Sequence, residues 1–226
     1  MNDILAAPLF PYAATAFGLF LVTSIIELVF CFLELETPRK IAKPFCVLFL
    51  GVAATLLKPD APLLYVGLYL GAIGDLLLVF KHKVWTFVGG TTAFLLGHIC
   101  YSVLYIKLLP SVDIPVYVAV VACFILVPLG AFFALRKVIK TPGLFLGGIV
   151  YFSFIALDFA LSLVALCLLN YPILWLNVAG MAVFLVSDAY LVKTLFYRDD
   201  KRRDFTIMVT YLLAQGLIAL GFCFIL

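Results

Sequence analysis

Asp75 and Asp188 are carboxylic acids set in hydrocarbon. Asp75 stands within Leu70-Gly71-Ala72-Ile73-Gly74-Asp75-Leu76-Leu77-Leu78, and Asp188 within Val183-Phe184-Leu185-Val186-Ser187-Asp188-Ala189-Tyr190-Leu191. A small residue precedes each, Gly74 or Ser187, and each lies near the same end of its apolar segment. A carboxylate in such surroundings costs several kcal/mol unless it is paired, hydrated or protonated. Two carboxyls sharing one apolar cavity oppose each other's charge, which favours one protonated and one ionised group. That is the state an acid/base pair requires.

Other polar groups fall in the same half of the chain's apolar segments. At 1.5 Å rise per residue, Asp75 lies about 9 Å from Lys81, Asp188 about 15 Å from Arg198, and Tyr211 about 12 Å from Arg203. Glu27 lies two turns before the acidic end of the first segment, and Lys43-Pro44 opens the second. His98, Tyr101, Tyr151 and Gln215 fall closer to the middle. Together they suggest a polar chamber open to one side of a bilayer. Each also has a structural reading. His98 suits a hydrogen-bonded link between helices, Glu27 and Lys43 an ion pair at the bilayer edge, and the tyrosines an interfacial belt. Asp158 lies deep in the sixth segment with no comparable pattern around it, and carries no assigned role.

Several chemistries are disfavoured. The chain has no GxSxG elbow, HExxH pair or Walker loop, and only two histidines. Its six cysteines show no CxxC or Cys/His spacing, so they read as inert thiols rather than disulfides or a zinc site. No metal or cofactor is expected. Hydrolysis here would rest on carboxylates and water.

The elements that position these groups are membrane spans. With 66% hydrophobic residues, 12% charged and a mean hydropathy of +1.25, the chain is no soluble globular domain. Apolar stretches at 12–33, 42–57, 62–80, 85–106, 114–135, 143–169, 173–196 and 205–226 predict an all-α bundle of eight transmembrane helices. Residues 1–226 form one such domain. Of the fifteen Lys and Arg residues, all but Lys58 and Lys107 fall at alternate connections. The positive-inside rule makes those loops cytoplasmic and both termini lumenal or exterior. Each basic loop is too short for nucleic acid. No basic region precedes the first apolar stretch, which reads as a span rather than a cleaved signal. Asp75 and Asp188 stand at the same offset as His98 and Tyr211, and as Ser102 and Gln215, which suggests a 4+4 repeat.

The order of these motifs resembles a known family. Gly74-Asp75 with Leu78, Phe94-Leu95-Leu96-Gly97-His98 with Tyr101, Phe184-Leu185-Val186-Ser187-Asp188 with Leu191, Tyr211 with Gln215, and Lys43-Pro44 together resemble the lysoplasmalogenase (YhhN-like) membrane family over nearly the whole chain. Gly97 stands where that pattern has Ala. The resemblance implies hydrolysis of the vinyl ether of 1-alkenyl-lysoglycerophospholipids, with choline or ethanolamine head groups, to a fatty aldehyde and the glycerophospho-head group. Vinyl ethers hydrolyse through protonation of carbon and capture of an oxocarbenium ion by water. On this reading Asp75 and Asp188 are the acid and the stabilising or water-activating carboxylate, in either order. Tyr211, His98 and Gln215 orient water or glycerol oxygen, with Tyr101, Tyr151, Glu27 and Ser187 in support, and Lys43 meets the phosphate. The membrane would be the endoplasmic reticulum in a eukaryote and the inner membrane in a bacterium. A homodimer is compatible with the apolar helix faces but carries no signature.

Two other classes stay open. Paired intramembrane acids and a repeat also describe a proton-coupled transporter. A non-catalytic lipid-binding protein would keep lipid without turning it over.

Overall fold

The computed structural model describes residues 8–80, 84–109, 141–196 and 201–226, with isolated positions between 120 and 136. Side chains at 193, 195, 196 and 201–203 are outside that description. Lys81, Lys83, Lys137, Lys140, Arg198, Cys123 and most of the expected fifth span therefore lie outside it. So do the side chains of Lys193, Lys201, Arg202 and Arg203.

The described residues form seven helices: α1 (Phe10–Phe32), α2 (Glu36–Leu57), α3 (Pro62–Leu78), α4 (Val84–Leu108), α5 (Pro142–Leu169), α6 (Leu174–Phe196) and α7 (Lys201–Ile225). Helical positions between 120 and 133 fall in the expected fifth segment, between α4 and α5. The protein is a polytopic helical bundle. Six of these helices have the length and apolarity to cross a membrane. Helix α3 has 17 residues, about 26 Å, just under the roughly 30 Å hydrocarbon core.

Local sequence explains several boundaries. Pro62 and Pro142 occupy the first turns of α3 and α5, where a missing N–H costs nothing. Asn170 ends α5 at φ 51°, a left-handed conformation that Asn tolerates. Helix α2 begins at Glu36, earlier than its apolar stretch, so Pro44 lies inside it.

Consecutive helices pack side by side, and α7 returns against α1, α2 and α3 to close the bundle. Large apolar side chains point outward, Val22, Ile25, Phe32 and Leu146 among them. Glu27, Asp75, His98, Asp158, Asn177, Asp188 and Gln215 are buried. That is the distribution expected when lipid is the solvent. Both tryptophans are exposed at helix starts, Trp85 on α4 and Trp175 on α6, at opposite ends of the bundle. They mark the two interfaces.

Helices α3 and α4 approach unusually closely through glycine. A Cβ at Gly74 would meet the Phe94 ring at 2.6 Å and the Gly90 carbonyl oxygen at 3.1 Å. The small residue before Asp75 is there because α4 leaves no room for more. The five described cysteines are free thiols.

Candidate active site

One cavity of ≈ 260 Å³ opens at the basic end of the bundle, between the start of α2, the ends of α3 and α6, and the start of α7. Both aspartates line it. Around them stand Glu27, Lys43, Tyr151, Ser187 and Tyr211, with Phe94 and Phe184 as walls. Of the ten residues singled out from sequence, seven meet here. His98, Tyr101 and Gln215 lie in the packed layer behind, each nearly inaccessible.

The two aspartates have unequal partners. Asp75, 1% exposed, accepts a hydrogen bond from the Tyr211 hydroxyl on Oδ2 at 2.7 Å. Its Oδ1 stands 3.2 Å from the Lys43 ammonium. An ammonium and a phenol on one buried carboxylate favour its ionised form. Asp188, 5% exposed, forms no ion pair with any described residue, and its buried Oδ2 has no hydrogen-bond partner. Tyr151 of α5 lines the cavity beside it. Asp188 thus lacks the direct ion pair that Asp75 makes.

The ring of Tyr211 is held edge-on by Phe94 and Phe184, each with its centroid 5.8 Å away. Ser187 donates to the Ile207 carbonyl at 3.2 Å, tying α6 to α7 beside Asp188.

Behind Phe184 lies a second polar cluster. The Asp158 carboxyl group is wholly buried; one oxygen is hydrogen-bonded to Nδ1 of His98 at 2.8 Å, and the other accepts from the Ser102 hydroxyl. The His98 ring packs on Phe184 at 4.7 Å and on Tyr151 at 6.0 Å. Asp158 had no local sequence signature because its partners lie on another helix. A signal existed all the same: His98 and Ser102 are i, i+4 neighbours on one face of α4 and need a common acceptor.

Arg39 is the other residue the sequence reading left among the loop cations. Its Nε stands 3.2 Å from Glu27, and another guanidinium nitrogen 3.6 Å from Asp204. It joins α1, α2 and α7 at the cavity mouth, beside Lys40. No group of three or more His, Cys, Asp or Glu side chains suited to a metal stands together among the described residues.

Fold and site together define a polytopic membrane protein with a carboxylate-lined cavity reaching one face of the bilayer. The sequence model of the YhhN family matches residues 5–222, so this chain belongs to that family, the lysoplasmalogenase family. No curated protein and no solved structure matches it.

Proposed function

We propose that this protein hydrolyses the vinyl ether bond of lysoplasmalogens, using Asp188 as general acid and Asp75 as anionic base. The unequal pairing of two carboxyls in one cavity carries this reading. A vinyl ether needs a proton delivered to carbon, and Asp188, with no ion pair among the described residues, is the carboxyl better suited to carry one. The positive charge that develops needs an anion nearby, and Asp75, held by Lys43 and Tyr211, stays ionised.

The steps balance without a cofactor. The Asp188 proton goes to the alkenyl carbon remote from oxygen, and the π electrons form the new C–H bond. The ether oxygen shares its lone pair with the adjacent carbon, giving the oxocarbenium ion. Water adds to that carbon while Asp75 takes its proton. The hemiacetal hydroxyl then returns a proton to Asp188, Asp75-H protonates the departing glycerol oxygen, and the carbon–oxygen bond breaks. The products are a fatty aldehyde and the glycerophospho-head group, with both carboxyls reset. Lys43 serves Asp75 on this account, so the lipid phosphate falls to Lys40 and Arg39 at the mouth. By the positive-inside rule that mouth faces the cytoplasm, of the endoplasmic reticulum where the source is eukaryotic.

The test is turnover of 1-alkenyl-lysophosphatidylcholine and its ethanolamine counterpart by purified protein in detergent, run in D2O with immediate reduction of the aldehyde. The expected product carries one solvent deuterium, stereospecifically, on the carbon next to the carbonyl. Racemic deuteration or no aldehyde from folded protein sinks the proposal. In the latter case proton-gradient uptake into vesicles is the competing activity to measure.

A further inference from the structure

A second cavity, ≈ 410 Å³, lies between α4 and α5 and is apolar where the first is charged. Its walls are Val88 and Leu95 on α4 and Leu144, Gly147 and Val150 on α5, with Leu191 of α6 closing the back. Val88, Leu146 and Val150 at its rim are exposed, so it opens sideways into the bilayer rather than along the bundle axis. The two cavities share Phe87, Thr91, Tyr151, Asp188 and Leu191. Asp75 lines only the polar one. Asp188 therefore stands at the junction of a charged chamber and an apolar fissure.

We infer that the α4–α5 fissure holds the substrate's single aliphatic chain, so that the chain's first carbons lie at Asp188. This rests on the vinyl-ether reading and specifies its substrate pose. Depth supports the occupant. From Phe87 to Leu95 the α4 wall runs about 12 Å, most of the roughly 15 Å of one leaflet's hydrocarbon. Both α4 and α5 begin at the basic end, so the fissure lies in the same leaflet as the polar mouth. A lysolipid has a single chain and a charged head, which match an apolar fissure joined to a charged chamber. The reacting bond of a 1-alkenyl lipid lies where chain meets glycerol. A molecule with its phosphate at Lys40 and Arg39 and its chain in the fissure places that bond beside Asp188. Its protonated carbon is on the chain side, facing the acid, and its oxygen faces Asp75.

Gly147 allows a clean test, because a Cβ there meets nothing within 4 Å. Gly147→Leu starts from an unobstructed Cβ and adds bulk to the fissure wall, and removing a helical glycine does not weaken α5. Gly18→Leu on α1, equally open, is the control. Across a series of 1-alkenyl-lysophosphatidylcholines, Gly147→Leu should lower kcat/KM for the longest chain about tenfold or more relative to the shortest. Gly18→Leu should leave the profile as in wild type. Independently, a saturated 1-alkyl-lysophosphatidylcholine bearing a diazirine on its chain should crosslink to α4 and α5, and Gly147→Leu should abolish that labelling.

Turnover with an unchanged chain-length profile and labelling elsewhere would overturn the fissure and spare the vinyl-ether reading. Labelling of α4 and α5 without any turnover would keep the fissure as a chain site and remove the reaction. Equal labelling by a diacyl phosphatidylcholine diazirine probe would overturn the inference, because it assigns the fissure to bulk bilayer lipid.

Discussion

Asp75 and Asp188 share a cavity, yet replacing each should fail differently. Asp188→Asn removes the proton donor and leaves the cavity's charge intact, so kcat should fall by about 10²–10⁴ with KM nearly unchanged. Asp75→Asn removes the anion facing the developing cation and also strands Lys43, so kcat should fall as far and thermal stability should drop as well. Michaelis kinetics and melting curves on both variants separate the two. Full turnover in either variant would remove that residue from the chemistry. Asp158→Asn can keep a hydrogen bond to His98 through its amide but takes the acidic group away from the imidazole. It should lower kcat, whereas Ser102→Ala, which removes only a buried donor, should cost about 1–3 kcal/mol of stability with kcat little changed. If both variants lose only stability, the cluster is a structural link and His98 plays no part in turnover. At this scale the sequence was informative where a residue contradicted its own neighbours. Asp75 and Asp188 stand out from apolar runs by type alone. The pairing of His98 with Asp158 could not stand out, because it is made between helices far apart in the chain.

The helices themselves were largely legible, since about 20 apolar residues and a turn have few alternatives in a bilayer. The exception is instructive. Helix α2 starts at Glu36 because hydropathy measures hydrocarbon, not helix; its first turns are polar, and Lys40 reaches Glu36 at 3.7 Å across one turn. Those turns carry Arg39 and Lys40 to the cavity mouth, and a loop there would not aim them. Helix contacts were not legible. Gly74 looked like a marker of the aspartate, and it is the point where α3 meets Phe94. Gly74→Ala should therefore cost about 1–3 kcal/mol despite its better helix propensity, and should lower kcat by moving Phe94 off Tyr211. Gly18→Ala, with open space around it, should cost nothing. Equal melting temperatures for the two variants would mean that α3 and α4 are not in close contact. Arg39 gives a second test between elements. Arg39→Met strands buried Glu27, a loss of up to about 3–5 kcal/mol for a fully enclosed pair and less here, with Arg39 21% exposed. Adding Glu27→Gln should recover part of it, and a double variant no more stable than Arg39→Met would show that the pair contributes little.

Across the whole molecule, the arrangement of charge and polarity ties membrane orientation to substrate supply. Arg39, Lys40, Lys43 and Arg136 gather at the end where the polar cavity opens, and Trp85 marks the bilayer surface there. The repeat read from matched positions has an asymmetric outcome. Tyr211 bonds Asp75, whereas His98, at the matched position, pairs through Nδ1 with Asp158 instead of Asp188. Both cavities lie toward the basic end, so on the proposed reading sidedness decides which lipids can arrive. In sealed vesicles of known orientation, a Cys-less background with Asp60→Cys should react with an impermeant maleimide from the lumenal or exterior side. Glu36→Cys, exposed at the cavity mouth, should react only from the cytoplasmic side. The reverse pattern would put both cavities in the other leaflet, and the substrate would then have to be lysolipid delivered from outside or from the lumen.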